Sequence, residues 1–136
     1  YDQRRQEIGE DLYRVLGIPR EDKQKRRGQF AKNALMFNAP VGLFAYIDRS
    51  LSYGQWMDLG MYLQSFMLLC EGHGLATCAQ GYWTFFHETV RQATGAPDDL
   101  MLACGIAVGF EDQDAPINKV RSSRAAVEDF AVFIDR

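Results

Sequence analysis

Apolar residues in 3–17 fall at Ile8, Leu12, Val15 and Leu16, one helical stripe on an otherwise charged segment. Gly17 and Pro19 supply a stop. Residues 20–36 predict a second helix. Glu21 and Asp22 stand at its start, Lys23, Lys25, Arg26, Arg27 and Lys32 follow, and Phe30, Ala34 and Phe37 form a thin apolar face. Pro40 ends it. The continuous run Val41-Gly-Leu-Phe-Ala-Tyr-Ile47 then has the pattern of a central strand covered on both faces.

Ser52-x-x-Gln55 is a capping box. Trp56, Leu59, Leu63, Phe66, Met67 and Cys70 follow at helical spacing, and Met61, Tyr62 and Leu69 widen the stripe. The expectation is a largely buried helix, closed by Gly72 as the residue after its C-cap. Residues 75–81 predict an abrupt extended turn. Thr84 is placed to cap a further helix to about Thr94, stopped by Gly95 and Pro97. Residues 100–108 form a second buried strand. The small residues Ala103, Gly105 and Ala107 require a close neighbour, such as a helix, on one face. Residues 109–126 are irregular. In the mixed tail, 127–135, Val132-Phe133-Ile134 predicts a short strand. This element order gives an α+β or α/β class.

The chain has 136 residues, 47% of them hydrophobic, and a net charge of −3. That suits a single globular domain and gives no reason to expect nucleic-acid binding. Cys70, Cys78 and Cys104, with two histidines, form no disulfide framework and no zinc-ligand spacing. Reduced thiols fit a cytoplasmic protein. No apolar run reaches membrane-spanning length, and no signal peptide opens the chain.

Neither GxxxxGK[ST] nor GxGxxG is present. Lys119-Val-Arg-Ser-Ser-Arg124 collects three cations and two hydroxyls, which suits either a solvated surface loop or an anion site. Cys78 has His73 and His87 near in sequence but lies in an apolar stretch without a third orienting group, so a buried thiol competes with a nucleophile. Paired carboxylates and calcium-loop spacing are lacking. Tyr82, Trp83, Phe85 and Phe86 form either a core or interface cluster, or a wall for a planar ligand.

An ordered set of short motifs carries a resemblance. It runs from Asn38-Ala-Pro-Val-Gly-Leu-Phe to Ile-Asp-Arg49, then Asp58-x-Gly60 with Gln64, then Gly74-Leu-Ala-Thr-Cys-Ala-Gln80. Cys104-Gly-Ile-Ala-Val-Gly109, Ala115-Pro-Ile-Asn118 and Arg121-Ser-Ser-Arg124 complete it. Together they resemble the nitroreductase family of FMN-dependent oxidoreductases. The resemblance implies an α+β fold with a mixed central sheet flanked by helices, and an intertwined homodimer with FMN at the subunit interface. It implies ping-pong transfer from NAD(P)H to nitroaromatic or quinone acceptors. Flavin chemistry requires no catalytic side chain, in keeping with the absence of one above.

By position, Cys78, Ala79, Gln80 and Gly81 would run beside the flavin ring, chiefly through their backbone, and Lys119, Arg121 and Arg124 would hold the phosphate. Ala79 stands where the family often has proline. An N-terminal Arg-x-Ser-x-Arg-like clamp and an Asn-containing loop have no counterpart here, since Arg4-Arg5 lacks the serine. The expectation is therefore one nitroreductase-like domain, 1–136, forming the C-terminal portion of a longer enzyme. The competing expectation is a flavin- or ligand-binding subunit or dimerisation domain without reductase activity.

Overall fold

The computed structural model describes residues 2–134. They gather into two compact units, one from residues up to Arg26 and from Asp112 onward, the other Arg27–Glu111.

In the first unit, α1 (Asp2–Val15) ends beside Gly17, as the stripe predicts. Arg26 braces it: its guanidinium lies 4.1 Å from the Tyr13 ring centroid and 3.3 Å from Glu10, and its Nε donates to the Pro19 carbonyl. A 3-10 turn (Pro116–Lys119) follows in the loop. The tail forms a 3-10 turn (Val127–Asp129) and then irregular chain. The strand expected at 132–134 does not form, because a strand needs a ladder partner and no described strand pairs with it. Asp135 lies outside the described residues.

The second helix, α2 (Lys23–Ala31), is shorter than expected at both ends. Asp22 Oδ1 accepts the Lys25 amide at 2.9 Å, so Asp22 caps the helix from outside. That bond is the main reason its carboxyl titrates below the ordinary value. Beyond Ala31 the chain tightens into a 3-10 segment, Lys32–Asn38, whose last three residues, Met36, Phe37 and Asn38, have left-handed φ of 48°, 52° and 63°. Ala39 is extended, as the residue before a proline prefers.

The sheet holds β1 (Val41–Asp48), β2 (Ala76–Gln80) and β3 (Leu100–Gly109) in the order β1-β3-β2, antiparallel throughout. β3 is therefore central. β1 is an edge strand, contrary to the expectation from its apolar run. The run records apolarity, not what covers it, and Val41 and Leu43 are exposed while Ile47 is buried. Register shifts between Ala45 and Tyr46, whose partners Cys104 and Leu102 skip Ala103.

From Cys104 to Val108, β3 presents alternate residues to two layers. Cys104, Ile106 and Val108 face α3 (Tyr53–Gly72), meeting Leu63, Phe66 and Cys70. On the other face lies a 3-10 helix, Gly81–Phe86, whose Trp83 indole covers Gly105. The close neighbour demanded by the small residues is thus an indole rather than a helix backbone.

Gln55 Oε1 accepts the Ser52 amide at 3.2 Å, closing the start of α3 as its capping residues require. Its exit differs from expectation. Gly72 is still helical, and Gly74, with φ of 72°, takes the left-handed position. The Leu75 amide reaches Cys70 O and the Gly74 amide reaches Glu71 O, a Schellman closure. Leu75 also packs onto the Cys70 cluster. The expectation of a largely buried α3 is overturned: among its residues only Cys70 is buried, and Tyr53, Met57, Met61, Tyr62, Leu68 and Leu69 are exposed. One face packs against β3, and the rest has no cover among the described residues.

Thr84 does not cap the following helix. It lies inside the 3-10 segment and donates to Gly81 O at 2.8 Å, and α4 (His87–Thr94) begins after Phe86. No described helix is long and apolar enough to cross a membrane.

Candidate functional site

The segment expected as a turn, 75–81, is mostly strand. β2 pairs with β3 alone, so along its outer edge alternate backbone N–H and C=O groups have no ladder partner among the described residues. Cys78 and Ala79 are exposed on it. Gly81 is the first residue of the 3-10 helix that follows.

Cys78 has none of the features of an activated nucleophile. Its Sγ has one weak contact, 4.0 Å to the Ala79 carbonyl oxygen, and neither His73 nor His87 hydrogen-bonds it. Although the residue is exposed overall, partial desolvation around the sulfur pushes the thiol above its ordinary value. His87 Nδ1 instead lies 3.5 Å from Glu88. Among the described residues no group of acids, histidines and cysteines could hold a metal.

Gln80 is different. It is 2% exposed, and its side chain is fully engaged within the protein. Nε2 donates to both the backbone oxygen and Oδ1 of Asn33, each at 3.0 Å, while Oε1 accepts from Trp83 Nε1 at 3.4 Å. The aromatic cluster sits beside it. Trp83 meets Phe44 and Tyr82 edge-on at 5.3 and 5.4 Å, and Tyr82 meets Phe30 and Phe86. Tyr82 and Trp83 are thus packed residues, while Phe85 and Phe86 remain exposed.

Lys119, Arg121 and Arg124 lie in the first unit and are exposed. Arg121 Nη1 donates to the carbonyls of Asn118 at 2.6 Å and Val120 at 3.1 Å. Arg124 Nη1 donates to the carbonyls of Ser122 and Ser123 and to Ser122 Oγ. Each guanidinium keeps further N–H groups for an external oxyanion. Arg121, Ser122 and Ser123 share an open groove of about 530 Å³ with Arg4 and Glu7 of α1. Nothing local in the chain links Arg4 to this loop, so their proximity is not legible from sequence.

A three-stranded antiparallel sheet, a long capped helix on one face and an aromatic 3-10 segment on the other define an α+β protein with an unpaired edge and an exposed basic loop. The chain belongs to the nitroreductase family, whose model matches residues 3–110. It is 37% identical over 120 residues to a nitrobenzene nitroreductase of Ectopseudomonas oleovorans, covering 88% of this chain and 53% of that protein. It is 35% identical to a 4-nitrobenzoate reductase of Nocardioides sp. (strain LMS-CY), covering 98% of this chain and 55% of that protein. The crystal structure of an FMN and NADPH-dependent nitroreductase, NfnB of Sphigopyxis sp. strain HMH, superposes with a TM-score of 0.96 at 42% identity. That match covers 99% of this chain and 60% of the other. The chain thus spans about half the length of the curated relatives it matches.

Proposed function

We propose that the chain serves an FMN-dependent NAD(P)H oxidoreductase that reduces nitroaromatic or quinone-type acceptors. The similarity to an FMN and NADPH-dependent nitroreductase, at a TM-score of 0.96 and 42% identity, carries this reading. Relatives named for nitrobenzene and 4-nitrobenzoate support the acceptor class.

The residues present fit the chemistry of the cofactor. The outer edge of β2 and the residue that follows it offer backbone donors and acceptors suited to a polar ring edge, at Cys78, Ala79, Gln80 and Gly81. Lys119, Arg121 and Arg124 offer exposed cations suited to a phosphate. When bound, FMN supplies the redox chemistry, taking a hydride from NAD(P)H and passing electrons to the acceptor. This chain's residues bind and orient. None is required as a general acid or base, and the desolvation that pushes the Cys78 thiol above its ordinary value disfavours the thiolate a nucleophile needs.

We further propose a homodimer. The exposed face of α3 carries Tyr53, Met57, Met61, Leu68 and Leu69, an apolar surface of the kind a second copy covers. A cytoplasmic location agrees with three free cysteines.

Titration of the purified protein with FMN, followed by visible absorbance, tests the cofactor. Oxidation of NADPH or NADH with 4-nitrobenzoate, nitrobenzene or benzoquinone tests the reaction. Failure to take up flavin overturns the proposal. Stoichiometric flavin without turnover supports instead a binding subunit.

A further inference from the structure

Among the described residues, Gln80 is the buried polar side chain, and its position is unusual for one. It is the last residue of β2, where an exposed edge strand turns into the 3-10 helix beginning at Gly81. Edge strands and element ends fray readily unless something ties them down. Here a side-chain relay does so. Asn33 Nδ2 donates to Phe30 O at 2.8 Å, which turns its Oδ1 toward Gln80. Both amide hydrogens of Gln80 then have acceptors on Asn33, and its oxygen takes the Trp83 indole N–H. Trp83 is itself immobilised, because its ring fills the space above Gly105.

We propose that the Asn33–Gln80–Trp83 relay is the positioning device for the backbone of residues 78–81, holding it at a fixed place for the flavin. Gln80 is then a positioning residue: its side chain is buried and bonded within the protein, and it acts through the backbone of Cys78, Ala79 and Gly81. This inference rests on the flavin reading above. The chemistry at position 80 is restrictive. A glutamate would set carboxylate oxygens against the two Asn33 acceptors. A leucine would leave the half-buried Asn33 Oδ1 and Trp83 N–H without their Gln80 partner.

The test is amide hydrogen exchange over 76–81 in the full chain, with and without FMN, for wild type, Gln80→Leu and Asn33→Ala. Val90→Ala serves as a control, since Val90 is buried in α4 and outside the relay. Exchange at 78–81 is expected to be ~10-fold or more faster in the two relay variants than in the control, as for the loss of a buried hydrogen-bond partner. FMN affinity should fall, and the absorbance and midpoint potential of the bound flavin should shift, in the relay variants and not in Val90→Ala. Exchange equal to the control overturns the relay. Faster exchange with unchanged affinity, spectrum and potential overturns its role toward the flavin. A wild-type chain that takes up no FMN overturns the proposed function, while the exchange rates still decide whether the relay holds 78–81.

Discussion

The indole of Trp83 occupies the space that a side chain at Gly105 would need: a Cβ there would lie 2.2 Å from Trp83 Cδ1 and 2.9 Å from Nε1. A rigid ring and the central strand of the sheet cannot both yield without disturbing the packing around them. The variant Gly105→Ala should therefore lose about 1–3 kcal/mol of stability, as overpacked cores do. Thermal unfolding measures it, and the loss should shrink in a Trp83→Leu background, where the clash is gone.

Gly74 closes α3 in the left-handed region, with φ of 72°. Open space surrounds the position a Cβ would take, so the cost of a side chain there is conformational and not steric contact with neighbours. Gly74→Ala should destabilise by about 1–2 kcal/mol. A urea titration in which the variant matches wild type would show that the Schellman closure has another route.

The acid limb of the stability curve should carry a signature of Arg91. Its guanidinium donates to Glu88 Oε2 at 3.0 Å and to Asp98 Oδ1 at 2.5 Å, and the Glu88 bond holds that carboxyl below its ordinary value of 4.5. A depressed folded-state pKa stabilises the fold above the unfolded value and loses that contribution as pH falls. The urea midpoints of wild type and Arg91→Ala should differ slightly at pH 7 and converge below pH 4.5. The difference stays small because Glu88 is exposed.

Replacing Arg121 and Arg124 together by alanine should weaken FMN binding ~10-fold or more, the scale for losing charge-assisted hydrogen bonds. Both residues are exposed, so the unfolding temperature should stay close to wild type. Flavin titration with parallel thermal melts checks both halves. Unchanged affinity would place the phosphate elsewhere.

Much of the candidate site was legible as residue types in order. The extended segment ending at Gln80 and the basic cluster 119–124 stand out in the sequence, and the family motifs run through both. What stayed hidden was direction. Gln80 looks like one more polar residue of a turn, yet its side chain is buried and bound to Asn33, a residue remote in sequence. Cys78 draws attention as a thiol near two histidines, yet neither histidine reaches it.

The sequence by itself determined whatever depends on neighbours a few residues away. The stripe of α1, the Ser52 and Gln55 box, the stops at Gly17 and Gly95, and the apolar strands are all of this kind. Such features follow from backbone hydrogen bonds and side-chain periodicity within a turn or two of chain. Tertiary structure decided what long-range pairing controls. It made β3 central and β1 an edge, left one face of α3 open, and seated Trp83 on Gly105. Apolarity states that a side chain favours burial, but which surface buries it is set by strands and rings brought together from distant parts of the chain.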